Sequence, residues 1–305
     1  MKHTYPHTSL GIICGLFGKT RQGWYAQSKQ AAQTTLEHAT VLELVREIRK
    51  TQPGAGTPTL HKMLRDVLPM HHIKMGRGAL NDLLSEHGML IRKKRRRPKT
   101  TDSAHWYRRY DNLIKGIEIN RPCQVWVSDI TYITVGDSFA YLSLITDLYS
   151  RKILGYALCE TLASAGPLQA LRMALKETDR SGGTLIHHSD RGVQYSCTEY
   201  TGTLQEHRIS ISMARKGDPY ENPVAERVNG LLKTHFGIGV AFTSITQARA
   251  AIDQAIRTYN TVRPHSSCND LTPEKAHQQR GPMPRRWKNY RKTGRQPHPD
   301  AEGFS

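Results

Sequence analysis

Cysteine is scarce in this chain: 5 residues in 305, at positions 14, 123, 159, 197 and 268. An odd, scattered set with no Cys-x-x-Cys pair excludes a disulfide framework and fits a reducing compartment. Long apolar runs are missing as well. No stretch of eighteen or more apolar residues occurs, and the N-terminus lacks the basic start, apolar run and small-residue cleavage site of a signal peptide, so no membrane span or secretion is expected. Acid is the other shortage, with 26 Asp and Glu against 44 Lys and Arg, for a formal charge of +18. That excess leaves the fold open but points to a polyanionic partner. Nucleic acid is the usual one, and an anionic membrane surface is the rival.

The first third reads as helical. Residues 8–30 hold an apolar segment with Leu10, Ile13, Leu16 and Phe17, a turn at Gly18 and a second run from Thr20, which suits a short helix-turn-helix or a docking helix pair. Thr40 with Glu43 makes a capping-box signature ahead of Val41, Leu44, Val45 and Ile48, and that segment stops at Gln52-Pro53-Gly54. Thr57-Pro58 reads as the N-cap and first position of a second helix, with Leu60, Met63, Leu64 and Val67 on its apolar face. A third begins near Gly76, carries Leu80, Leu83 and Leu84, and ends at His87-Gly88. The expected organisation is an N-terminal helical segment over 1–39, a three-helix module over 40–90 that is DNA-binding or a plain helical domain, and a basic, aromatic linker over 91–120.

That linker contains six consecutive cations, Arg92, Lys93, Lys94, Arg95, Arg96 and Arg97. They repel one another and need counter-charge, and beside a helical module they read as a phosphate-tracking arm. Trp106, Tyr107 and Tyr110 interleave with Arg108 and Arg109, suited to stacking on bases or to packing on the next domain. At the other end, 278–305 gathers Arg285, Arg286, Lys288, Arg291 and Lys292 among prolines and glycines. Such a tail is expected to order only when nucleic acid neutralises it.

Between them, 121–277 reads as one α/β domain. Strands are expected at 124–130, 139–146, 152–158, 184–188 and 209–213, with helices after the third and fourth strands and another after the fifth. Asp147 is assigned to stabilising the turn that follows the second strand. Asp129 and Asp190 each close an apolar, strand-like run, and Glu226 follows Asp190 after 35 intervening residues. Asn222, Glu226, Asn229 and Lys233 fall at i, i+4, i+7 and i+11 on one helical stripe, with Val224, Val228, Leu231 and Leu232 opposite. An ordinary surface helix has the same pattern. Three carboxylates from two strand ends and one helix nevertheless suit Mg²⁺, which prefers oxygen ligands and keeps positions open for phosphate and water. His71-His72 and His187-His188 are adjacent pairs whose side chains diverge, and they read as solvent-exposed or capping residues.

The stretches WVSDITYI around Asp129, TDLYSRKILGY at 146–156, HHSDRGVQY around Asp190, KGDPYENPVAERVNGLLK around Glu226 and YNTVRPHSSCNDLTPEKAH together resemble a known family. It is the catalytic half (OrfB) of two-frame transposases of the insertion-sequence-three family, in the DDE and retroviral-integrase superfamily. The resemblance covers most of the chain. It departs at Glu221, Asn222 and Pro223, where the family usually has Asp-Asn-Ala, and at His235 and Cys268. No spacing matches the His-His-Cys-Cys zinc module of retroviral integrases.

The resemblance implies a ribonuclease-H-like (integrase core) α/β catalytic domain, preceded by a small all-α, helix-turn-helix-like region and followed by a basic tail. In that fold the first strand is central and lies beside the fourth. Asp129, Asp190 and Glu226 would hold two Mg²⁺ ions, with Mn²⁺ able to substitute, and Lys233 would touch DNA. Asn222, Arg215 and Lys216 before and at the start of that helix are further expected DNA contacts. Arg263 is expected either to reach DNA or to end its helix. The implied activity is metal-dependent DNA cleavage and strand transfer of an insertion sequence. The alternatives are a ribonuclease-H-like nuclease without joining and a DNA-binding regulator with an inactive core. Expected partners are the element ends and target DNA, an upstream-frame product carrying a helix-turn-helix and a leucine zipper, and further copies of the chain on DNA. The expected location is the bacterial cytoplasm, on the nucleoid when DNA is bound.

Overall fold

The computed structural model describes residues 9–91, 110–178, 183–214 and 222–283. The cations Arg92 to Arg97, the Trp106 to Arg109 segment, Arg215, Lys216 and the tail beyond 283 lie outside the described residues. The chain divides into two compact units, one of 1–100 with 230–241 and 250–258, the other of 101–229 with 242–249 and 259–305.

In the first unit, α1 (Leu10–Leu16) starts at Ser9, turns at Gly18 with φ +64°, and leads to α2 (Arg21–Thr51). The Thr20 side chain caps α2 by accepting from the Gly23 amide at 3.0 Å. The capping-box reading at Thr40 is therefore corrected. Its hydroxyl donates to the Leu36 carbonyl at 3.0 Å in mid-helix, because residues 31–39 contain no glycine or proline to stop the helix arriving from upstream. Helices α3 (Thr57–Leu64) and α4 (Arg77–Glu86) follow. Gly56, one residue earlier than expected, is the N-cap of α3, and the Thr57 hydroxyl turns away to Asn81 Oδ1 at 3.1 Å. Val41, Val45, Leu60, Leu64, Leu80 and Leu84 form the core of this module.

In the second unit, five strands form one sheet: β1 (Val125–Val135), β2 (Ser138–Asp147), β3 (Ile153–Cys159), β4 (Ile186–Ser189) and β5 (Ser210–Met213). Their order is β3-β2-β1-β4-β5. The first three are antiparallel neighbours, while β1–β4 and β4–β5 are parallel. β1 outruns its expected end at 130 because the β1–β2 hairpin stays paired to Val135–Ser138, closing on the two-residue loop Gly136-Asp137 with Gly136 at φ +56°. Asp147 acts as the sequence suggests, accepting from the Ser150 amide at 2.7 Å.

The helices are α5 (Ala165–Lys176), α6 (Val193–Ser196), α7 (Thr198–Glu206), α8 (Pro223–His235), α9 (Ile245–Thr261) and α10 (Pro273–Ala276). Alternation along β1 sorts its side chains between two layers. Trp126 joins Ile145, Leu171, Tyr200 and Met213 in the core beneath α5 and α7, whereas Val125 and Val127 pack with Ala225 and Val224 of α8. A central first strand flanked by the second and the fourth is the ribonuclease-H-like arrangement.

Candidate active site

The parallel pairing of β1 with β4 matches Val125 to Ile186, Trp126 to His187 and Val127 to His188. Asp129 lies two residues past the last of these pairs on β1, and Asp190 directly follows β4, so the two acids come at the same end of neighbouring parallel strands. Asp129 shares the side of β1 that carries Val125 and Val127, which is the layer α8 covers. The apolar runs thus end with both acids at one end of the sheet.

The helix is fastened to β1 by two amides of the polar stripe. Asn222 Nδ2 donates to the Ser128 carbonyl at 2.9 Å, and Asn229 Nδ2 donates to Asp129 Oδ2 at 2.8 Å. Glu226 lies between these anchors on the same stripe and is exposed. Its side chain is thus open to solvent. The other Asp129 oxygen accepts from the Ile130 amide at 2.9 Å, and Asp190 Oδ1 accepts from the Gly192 amide at 3.0 Å. A Cβ on Gly192 would stand 3.0 Å from that same Asp190 oxygen, so glycine keeps the carboxylate where it is. Oδ1 of Asn222 and of Asn229 are buried with no hydrogen-bond partner. The donors gathered here are all oxygens, the set a hard divalent cation takes.

Behind the aspartates the HHSD motif splits between the two layers, as adjacent strand residues must. Both histidines are buried, which corrects the solvent-exposed or capping reading. His187 Nε2 lies 2.7 Å from Ser128 Oγ and 2.9 Å from the Tyr200 hydroxyl, while His188 Nδ1 lies 2.9 Å from Ser212 Oγ on the opposite side. Burial, reinforced by neighbouring His188, drives His187 down to about 3, so it is a neutral core residue at pH 7. Tyr195 is fully enclosed next to it. Burial first, then Tyr200, Asp190 and Asp129, push its hydroxyl well above the ordinary phenol range. Burial above all keeps this phenol protonated.

The other residues singled out in the sequence separate. Asn222, expected at DNA, is a buried tether, and Arg263 is 7% exposed, with burial holding its guanidinium below the ordinary value. Both side chains are buried, and the sequence could not reveal this because both are polar residues beside helix ends. Lys233 lies seven residues beyond Glu226 on α8 and is half-buried. Asn229 and Tyr195 are what sequence reasoning missed. Asn229 stood on the recognised stripe, but nothing local marked its bond to a residue 100 positions away.

Two models of the integrase core domain match the chain, over residues 119–219 and 207–273. The chain is 32% identical over 274 residues to the insertion element IS600 uncharacterized 31 kDa protein of Shigella sonnei, covering 87% of this chain and 99% of that one. It is 28% identical over 273 residues to transposase InsF for insertion sequence IS3A of Escherichia coli, covering 87% and 93% respectively. Among solved structures, the HTLV-2 integrase catalytic core domain in complex with magnesium aligns with a TM-score of 0.41 and 18% identity, over 52% of this chain and 97% of that one. With a relative at 32% identity aligned over nearly its whole length, the chain belongs to the insertion-sequence-three family of transposases, whose core is of the integrase type.

Proposed function

We propose that this chain cleaves DNA at the ends of an insertion sequence and joins the freed 3′-hydroxyl to a second strand, with Asp129, Asp190 and Glu226 as the catalytic carboxylates. The observation that supports the reading is the bond from Asn229 of α8, the helix of Glu226, to Asp129 on β1, beside the parallel strand that Asp190 directly follows. Among the described residues no three His, Cys, Asp or Glu side chains are grouped so that they could hold a cation together. Aspartates on neighbouring strands are nevertheless ligands that Mg²⁺ accepts when phosphate oxygens and water complete its shell.

Asp129 and Asp190 would hold one Mg²⁺ and Glu226 a second, with Mn²⁺ as substitute. Such ions supply activation of the attacking oxygen and stabilisation of the leaving one. The chain's own groups set the stage for this. Asn229 and the Gly192 amide orient one oxygen of each aspartate, Asn222 fixes the start of α8, and Lys233 offers a point charge to a phosphate beside the scissile one. The partners are element ends and target DNA, further copies of the chain, and an upstream-frame product that supplies a helix-turn-helix and leucine zipper. The setting is the bacterial cytoplasm.

The experiment is a strand-transfer assay with an end-labelled 3′-hydroxyl oligonucleotide and Mg²⁺. Asp129→Asn, Asp190→Asn and Glu226→Gln should each abolish cleavage and joining, leave DNA affinity nearly unchanged, and not add when combined. Cleavage without joining would reassign the chain to the nucleases. A variant that joins at the wild-type rate would remove its residue from the site.

A further inference from the structure

Away from the carboxylate site, a second cluster of nucleophilic and titratable groups is built around the turn between β2 and β3. Asp147 is fully buried there. One oxygen accepts from the Ser150 amide at 2.7 Å and its hydroxyl at 2.6 Å, and the other accepts from the Cys123 amide at 2.8 Å. His277, just past α10, closes on the same point. Its Nδ1 lies 2.9 Å from Ser150 Oγ and 3.6 Å from Asp147 Oδ1, and its Nε2 lies 3.8 Å from Cys123 Sγ. Burial pulls the imidazole down, but the neighbouring Asp147 carboxylate and Cys123 sulfur more than reverse this and raise it to about 9. At neutral pH the ring carries a proton on both nitrogens.

Cys123 is half-buried, and its backbone is held at φ +54°, in the left-handed region that a non-glycine residue rarely adopts. Sulfur, imidazole and carboxylate follow one another in the order of an activated cysteine: the nucleophile, the group that manages its proton, and the group that orients that ring. Among the described residues no other cysteine sulfur has an imidazole for a partner. Cys14 and Cys268 are buried, Cys159 bonds to Gln169 and Cys197 to the Gln194 carbonyl. The transposition chemistry makes no use of this cluster.

We propose that Cys123 is a peroxide-reactive thiol, with His277 as its proton donor and Asp147 as the residue that orients His277. The thiol first gives its proton to water. The sulfur then attacks one oxygen of a hydroperoxide, an S–O bond forms as the O–O bond breaks, and the departing oxygen takes the proton from His277 Nε2, which is restored from solvent. In sum the sulfur loses two electrons and becomes a sulfenic acid, and the hydroperoxide is reduced to an alcohol or to water. The added oxygen would come between Cys123 and His277, two residues ahead of β1.

Competitive labelling of the intact chain at neutral pH tests this. Limiting hydrogen peroxide with dimedone as the sulfenic acid trap, and separately limiting iodoacetamide, are each followed by peptide mass spectrometry at every cysteine. Cys159 and Cys197, also half-buried, are the internal references. Cys123 should carry the dimedone adduct and be alkylated about tenfold faster than either reference, an advantage that His277→Gln reduces to about threefold or less and that urea removes. Equal rates at the three cysteines of the native chain overturn the proposal, and this comparison needs no variant. So does an advantage that persists in a folded His277→Gln chain, since a thiol that is merely exposed would not depend on the ring.

Discussion

Asn229 illustrates how much one amide decides at the scale of a residue. Its Nδ2–H is the donor recorded on Asp129 Oδ2, at 2.8 Å, and it fixes which lone pairs of that carboxylate point outward. Asn229→Ala should leave the fold intact at a cost of about 1 kcal/mol, the net worth of one hydrogen bond. Joining should fall about 10- to 100-fold, as is usual when the group orienting a metal ligand is lost. Asn229→Asp should be worse, because it sets a like charge against Asp129. Equal loss of melting temperature and joining across both variants would make the residue structural only. Two histidines extend residue-scale reasoning to pH. His187 is driven to about 3, so the unfolded chain binds its proton more readily below about 6.5, and stability should decline as pH falls from there toward 3. His277 is raised to about 9, so its contribution is complete below about 6.5 and disappears as pH rises through 9. Urea midpoints against pH should therefore lose the acid-side decline in a folded His187→Gln chain and the alkaline-side decline in His277→Gln.

Elements are held by closer approaches than hydrogen bonds alone require. A Cβ on Gly155 of β3 would fall 2.0 Å from the Ala170 carbonyl oxygen, so α5 lies directly on the strand. Gly155→Ala should then cost about 3 kcal/mol or more, because backbone rather than a flexible side chain must move. A thermal midpoint within a degree or two of wild type would mean that α5 shifts freely. This contact also shows what the sequence could convey. Short apolar runs between turns revealed all five strands, and the three-to-four spacing of Asn222, Glu226 and Asn229 revealed a face of α8, because such patterns record which segments and faces are packed. It does not record the partner. The Ser128 carbonyl that receives Asn222 is 94 positions away, the His187 pocket joins residues from β1, β4 and α7, and Arg263 is buried within electrostatic reach of Tyr259, which a helix end does not announce. The Thr40 cap failed for a local reason, since a capping box operates only where the preceding residues leave the helix.

At the scale of the whole molecule the excess of cations dominates, +18 over 305 residues. Charge of this kind sets affinity for any DNA without choosing a sequence, because each neutralised phosphate releases condensed counterions. The six cations from Arg92 to Arg97 are the densest such group in the chain, and an arm that reads no bases should contribute through this term alone. Replacing all six with Gln should weaken binding to element ends and to random duplex in the same ratio. The slope of log K against log salt should flatten by about 5 units if every one of them meets a phosphate, at about 0.9 per contact, and by proportionately less for fewer. Fluorescence anisotropy with both duplexes across a salt series measures the two quantities together. A substituted arm that loses preference for element ends while keeping the wild-type slope would show instead that these cations contact base edges, and discrimination would then reside in the linker and not in the helical module before it.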